Sequence, residues 1–403
     1  MSENNFLSEC FSKTGNSFDE LKKCLSEISD ATSMMNIRGL DVKILSPCLL
    51  KDYQKEDRIP YYILSKDYLR EYLEGSPFHI AYVKKSTFGS YADEIKEKQC
   101  VLLAVDKDIY VISSVSFASF CQRIGVVGEI TAQRANLYRD LHMADSMFYN
   151  NPKLNCLIRE DTQDDGTKIR VIFSMPGKEY IYTPLSVMSD VVEALMKNNE
   201  NLLVYRWEVD HKATNIWLKS DESVEYNGVK FTSGVWLTNS DSLGSSFMIK
   251  KCVIINDNVI PVDQKIILHR KVITVDEIID AYNSLDEGSF IEDIKNLANE
   301  KIVDYANISL ESENGKDFNL YSVKNLMKKV LKASLGPKFP VKQEKAFISA
   351  VTEELKGDKE YSLFDVTLML FDILKYRTEL DVFTKRLVTE SLQTFPKNIK
   401  KYA

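Results

Sequence analysis

Residues 154–174 read LNCLIREDTQDDGTKIRVIFS, and this stretch decides the fold class. Leu154 to Arg159 and Ile169 to Ser174 are apolar-rich runs of strand length, with Asp165-Gly166 between them. Aspartate–glycine is a strong hairpin signal, because a tight turn needs positive φ and glycine takes it without steric cost. The stretch is therefore expected to form two antiparallel strands. With a two-residue turn at Asp165-Gly166, Arg159, Lys168 and Arg170 fall on one face of that hairpin.

The same pattern extends in both directions. Upstream, Val101–Val105 and Ile109–Ile112 pair across Asp106-Lys107-Asp108. A short helix over 114–124 follows, with Gly125 placed to end it in a left-handed conformation. Downstream, Thr183-Pro184 opens a helix with threonine as N-cap and proline at the first position. Strands are expected at Leu202–Val209, Asn215–Leu218, Val229–Leu237 (after an Asn227-Gly228 turn) and Ser246–Ile255. Thr274-Val275-Asp276-Glu277 is a capping box that starts a helix through Tyr282. Strands joined by short turns more often than by helical crossovers predict an α+β fold, built on a mainly antiparallel central sheet with helices on one side.

The two ends differ from this centre. Ser17-Phe18-Asp19-Glu20 caps a helix over 17–29 that carries Leu21, Cys24, Leu25 and Ile28 on one face, so residues 1–39 read as an N-terminal helical arm. After a polar stretch at Glu311–Lys316 the period becomes purely helical. Four amphipathic segments, broken or capped at Gly336-Pro337, Pro340, Gly357, Ser362, Thr378 and Pro396, predict a C-terminal bundle. The expected division is thus 1–39, 40–310 and 311–403. A chain of 403 residues exceeds what one hydrophobic core usually serves, which agrees with such a division.

Lysine plus arginine is 52 against 59 aspartate plus glutamate, a net charge of −7 that counts against a dominant duplex-DNA binder. Residues 301–403 hold 18 basic and 14 acidic residues, so the bundle is mildly basic and the first 300 residues carry eleven net negative charges. The polar opening MSENNFLSECFSKTGNS has no basic or apolar leader pattern, and no apolar run approaches the roughly 18 residues that cross a bilayer. The expected setting is the host-cell cytoplasm or a virion, with no membrane contact. Seven scattered cysteines without a C-x-x-C pair read as reduced, mostly buried thiols.

No catalytic constellation emerges. The chain lacks a phosphate-cradling G-x-x-x-x-G-K-[ST] loop, a G-x-G-x-x-G fingerprint, H-E-x-x-H and G-x-S-x-G. His79, His142, His211 and His269 are never at metal-ligand spacing with one another. Asp210-His211 reads as a polar turn rather than an acid–base pair, and Thr238-Asn239-Ser240-Asp241-Ser242 as a polar turn-forming loop rather than a cation site. The expectation is a non-enzymatic protein with no cofactor and no metal.

The binding candidates are Arg159, Lys168 and Arg170, joined by Arg206 or Trp207 from the segment Tyr205-Arg206-Trp207. Cations beside aromatics on a sheet suit a single-stranded nucleic acid, the cations tracking phosphates and the rings stacking bases. Strand alternation places Tyr205 and Trp207 on one face and Arg206 on the other, so only one set joins the basic face. The competing reading has the aromatics packing the core and the arginines lining a solvated face.

The order of features from about 100 to 285 carries a resemblance. Asp108-Ile109-Tyr110, Asp165-Gly166, Thr238-Asn239-Ser240-Asp241 with Gly244-Ser245, Cys252 with Asn256, and His269-Arg270 follow one another. In this order they are similar to the phage/plasmid-like proteins grouped as a domain of unknown function (number 932). The resemblance implies a mobile-element origin and a role in replication, host takeover or assembly, without catalytic or ligand residues. Two expectations of function follow. One is a nucleic-acid-associated protein that binds single strands in replication or recombination. The alternative is a virion, assembly or host-interaction protein, either self-associating or binding a phage or host protein through its helical ends.

Overall fold

The computed structural model describes residues 6–8, 10–126, 137–178, 180, 182–199, 201–226, 229–240, 245–267, 274–284, 296, 299–300, 317–336, 341–356, 361–377 and 379–402. The fold is α+β, and its strands divide between two sheets. The first is a six-stranded antiparallel meander. β1 (Ser12–Gly15) lies at its edge, followed in space by β10 (Leu202–Asp210), β11 (Thr214–Tyr226), β12 (Val229–Ser240), β13 (Ser245–Ile255) and β14 (Asn258–Ile267).

The second sheet has eight strands in the order β2-β8-β9-β7-β6-β3-β4-β5. In chain order they are β2 (Thr32–Arg38), β3 (Val42–Pro47), β4 (Arg58–Leu64), β5 (Ile80–Lys84), β6 (Leu102–Val105), β7 (Asp108–Ile112), β8 (Lys153–Thr162) and β9 (Lys168–Ser174). All neighbours are antiparallel except β7 and β9. That parallel pair is separated in sequence by α4 (Ser114–Arg123), α5 (Leu137–Asn150) and β8, the kind of long connection a parallel pair requires.

Helices cover both faces of the meander. α1 (Phe18–Asp30), α6 (Ser186–Asn198) and α7 (Val275–Asn283) bury Leu25, Val191, Val192 and Ile278 against Val209, Ile216 and Leu237 on one side. On the other lie α8 (Asp317–Leu335), α9 (Val341–Glu354), α10 (Leu363–Lys375), α11 (Val382–Leu392) and α12 (Phe395–Tyr402). Their core, with Met327, Phe347, Leu370 and Phe395, is continuous with Phe231, Val253, Ile255 and Ile260 of the sheet.

The segment expected to be a free arm is therefore built in. β1 pairs with β10, α1 is buried on the meander and β2 pairs with β8 of the other sheet. Gly15 is needed here because a Cβ would meet the Trp207 ring at 2.6 Å. An amphipathic stripe tells that a helix buries one face, not what it buries it against.

Several local expectations hold. The Thr274–Glu277 capping box forms, Ser362 caps α10, and Gly125 is left-handed at φ 85°. Ser17 caps α1 as expected, its hydroxyl accepting the Glu20 amide. Others shift. Pro184 precedes α6, whose first amide, on Ser186, donates instead to Ser29 Oγ at 2.7 Å. Asp381 caps α11, and Pro396 sits in the first turn of α12 rather than simply ending a helix. That is where proline, having no amide proton to leave unbonded, is tolerated. The Asn227-Gly228 turn, the 241–244 stretch, His269-Arg270, the 311–316 linker, and Pro337, Pro340, Gly357 and Thr378 lie outside the described residues.

Candidate functional site

The β8–β9 hairpin closes with one loop residue more than a two-residue turn. Gln163 N–H donates to Thr167 O and Gly166 takes φ 80°, so Asp164-Asp165-Gly166 form the loop. Thr162 then faces Lys168, Glu160 faces Arg170, and Arg159 faces Val171. One added residue reverses which side chains share a face. Arg159 consequently leaves the face of Lys168 and Arg170, correcting the expected cluster of three. It is buried over the Phe173 ring at 4.1 Å and donates to the Phe6 carbonyl at 3.4 Å.

The two remaining cations are neutralised where they stand. Lys168 Nζ lies 2.7 Å from Glu160, while Arg170 reaches Glu160 at 2.8 Å and Asp108 at 2.9 Å. Burial pushes the Glu160 carboxyl up, but the hydrogen bonds and charges of Lys168 and Arg170 outweigh it and hold the group below its usual value.

Arg206 and Trp207 sit on the other sheet. A bulge between Val204 and Arg206 interrupts the β10–β11 ladder. Tyr205 and Arg206 consequently both meet the Trp217 side, and Trp207 turns to the opposite face. Its ring is buried in the α1/α6 core and its indole N–H donates to Ser17 O at 3.0 Å. Strict alternation, with Tyr205 and Trp207 together, does not survive the bulge.

On the Trp217 side a cleft opens between the meander and α10–α11, with a volume of about 80 Å3. Trp217 and Trp236 stack beneath it at 6.1 Å, and Trp236 Nε1 donates to Asn215 Oδ1 at 3.2 Å. The Arg206 guanidinium lies 4.7 Å over Trp217 and contacts Glu208 at 3.0 Å. Lys375 of α10 and Lys385 and Arg386 of α11 form the helical wall, with Asp257 at the rim accepting from Tyr205 Oη at 3.0 Å. Below the cleft Lys250, 1% exposed, lies 5.4 Å from the Trp236 ring and 3.9 Å from Glu390, which also pairs with Arg386.

Asp210 holds this wall to the sheet. Its carboxylate accepts the amides of Lys212, Ala213 and, at 2.8 Å, Val382 in the first turn of α11. Burial pushes the carboxyl up to about 6, with Asp381 adding to the rise and the three amides opposing it. Lys212 in turn pairs with Asp381 at 2.7 Å. The polar Asp210-His211 turn is thus where expected, and its aspartate has the further role of docking a helix.

Lys385 and Arg386 carry no motif and stand about 180 positions from Arg206. One signal was available: Arg386 lies four residues after Val382, on the inward stripe of its helix. Another was the Lys250-Lys251 pair inside an otherwise apolar strand. Among the described residues no group of carboxylates, histidines and cysteines is arranged to hold a metal ion, and no helix is long and apolar enough to cross a membrane. Six cysteines are buried and Cys10 is exposed. No protein-family model, curated protein or solved structure matches this chain.

Proposed function

We propose that this chain is a non-enzymatic, phage- or plasmid-encoded protein that holds single-stranded nucleic acid at the cleft between the meander sheet and α10–α11. The observation that carries the reading is a local surplus of cations. Arg206, Lys375 and Lys385 line the cleft beside Arg386, which pairs with Glu390, and face two lining carboxylates, Glu208 and Asp257, in a chain of net charge −7; Lys375 and Lys385 have no carboxylate partner among the described residues. Trp217 and Trp236 are buried, so they brace the arginine rather than meet a base. The guanidinium of Arg206, whose side chain is 38% exposed, supplies the stacking plane instead. The mobile-element origin rests on the family resemblance.

Fluorescence anisotropy of labelled single-stranded and duplex DNA at low and moderate salt tests the reading. Salt-sensitive binding that prefers the single strand supports it, since neutralised phosphates release counterions. Absence of binding at low salt overturns it. The alternative, a virion or host-interaction protein, finds little support in the amphipathic helices, whose apolar faces are covered within the fold. It rests instead on Leu49 and Leu50, 53% and 54% exposed beside Tyr53, and light scattering with Leu49→Ser/Leu50→Ser tests it for self-association.

A further inference from the structure

We infer that β2 is a self-association edge, which pairs antiparallel with β2 of a second copy of this chain about a two-fold axis at Met35. The inference goes beyond the proposed function and stands apart from it, since particle mass reports the one and oligonucleotide binding the other. Three observations carry it.

The first is that β2 is the least guarded of the four sheet edges. Edge strands are commonly blunted by shortness, lysine, proline or a bulge, because their unpaired amides and carbonyls invite another strand. β1 and β5 are short, at four and five residues, and each carries a lysine, Lys13 and Lys84. β14 contains Pro261, and its ladder is broken by a register shift between Lys250 and Cys252. β2 runs seven residues, Thr32-Ser33-Met34-Met35-Asn36-Ile37-Arg38, in unbroken register with β8. It has no proline, glycine, lysine or carboxylate, and its one charge is at its last residue.

The second is which backbone groups face outward. Just beyond the two ends of the β2–β8 ladder, Glu160 N–H donates to Ala31 O and Gly39 N–H to Pro152 O. Bonded residues alternate along an antiparallel pair, so Ser33, Met35 and Ile37 bond toward β8. The backbone groups of Thr32, Met34, Asn36 and Arg38 therefore point away from the sheet, and among the described residues nothing bonds to them. Met34, Asn36 and Arg38 are also exposed. A two-fold axis at Met35 sets Thr32 opposite Arg38 and Met34 opposite Asn36 of the second copy. Every outward residue then meets another outward residue, as a self-complementary interface requires.

The third is charge. Arg38 stands opposite Lys153 in the ladder, both exposed and neither with a carboxylate partner among the described residues. Like charges directly opposite one another destabilise a sheet. At the other end of β2 lies Asp30, exposed and bonded only to Ser26 Oγ. Antiparallel pairing carries the Asp30 end of one copy to the Arg38–Lys153 end of the other, where Asp41 beyond the strand offsets only one of the two cations.

Light scattering of the full-length chain over a concentration series tests the inference, and the mass should approach that of two chains. Met34→Glu/Asn36→Glu and Met34→Lys/Asn36→Lys each set like charges opposite one another across the axis and should each stay monomeric. An equimolar mixture of the two sets opposite charges in register and should restore the dimer. Leu49→Ser/Leu50→Ser, which lies after β3 on the far side of the sheet, should dimerise as the wild type does. Independently, Met34→Cys and Asn36→Cys chains, both with the exposed Cys10 changed to serine, should form a disulfide when mixed and not when kept apart. A wild type that stays monomeric at every concentration would overturn the inference, as would a dimer that survives in both charged variants. A mixture that stays monomeric, or cysteine variants that cross-link equally well alone, would overturn the two-fold axis at Met35.

Discussion

The β8–β9 hairpin and the cleft over Trp217 both set arginine and lysine beside aromatic rings, and they differ in what else lies within reach. In the hairpin, Glu160 stands opposite Arg170 and beside Lys168, with Asp108 supplied by the neighbouring strand. Each exposed cation there has a carboxylate within 3 Å. In the cleft, the strand bearing Arg206 brings one carboxylate, and two helices from the far end of the chain bring Lys375, Lys385 and Arg386, of which Arg386 pairs with Glu390 while the two lysines have no carboxylate partner among the described residues. A basic residue in a sequence therefore says little about ligand binding until the register shows which acids share its face.

That contrast can be broken at several points, and the largest expected effect belongs to Trp207. Trp207→Ala should lower stability by about 3–5 kcal/mol, because a buried ring is removed and a cavity remains. Thermal unfolding measures this, while oligonucleotide affinity of the folded variant should stay within about twofold. A selective loss of affinity with unchanged stability would put Trp207 in the binding surface instead.

Asp210 tests whether the helical wall is held as described. Its folded carboxyl titrates at about 6, above the 3.8 of a free aspartate, so the folded chain binds that proton more tightly. The contribution is therefore fully present below about pH 3.8 and is lost as pH rises through about 6, an effect on the order of 2–3 kcal/mol. Comparing urea midpoints of wild type and Asp210→Asn from pH 4.5 to 7.5 isolates it. The difference between the two proteins should carry that slope, and parallel curves would contradict the assignment.

Smaller effects sharpen the hairpin side of the comparison. Arg170→Ala removes two partly buried ion pairs and should cost about 1 kcal/mol. Lys168→Ala removes one exposed pair and should cost no more than about 0.5 kcal/mol. Denaturant midpoints distinguish the two, and a larger loss at Lys168 would show that the pairs are not ranked by burial.

Much of this architecture was legible because its determinants are local. The Thr274–Glu277 box, the Ser362 cap, the left-handed Gly125 and the Asp165-Gly166 reversal each need only a few neighbouring residues. The features that decide the site are not of that kind. Two- and three-residue loops accept the same aspartate–glycine pair, yet they place Arg159 on opposite faces. The bulge at Tyr205 has no proline or glycine to announce it. The split into two sheets depends on which strands meet across long connections, with β2 choosing β8 and β1 choosing β10. Arg206 was found from its aromatic neighbours, but Lys385 and Arg386 become its companions only when Asp210 docks α11.

The central claim is that the cleft, not the hairpin, carries the anion-binding function. Anisotropy of a single-stranded oligonucleotide at low salt, read for wild type, Arg206→Glu/Lys385→Glu and Lys168→Glu/Arg170→Glu, tests it most directly. The account predicts at least a tenfold loss of affinity in the cleft variant and a change within about twofold in the hairpin variant. Retained affinity in the cleft variant, with loss in the hairpin variant, would contradict it.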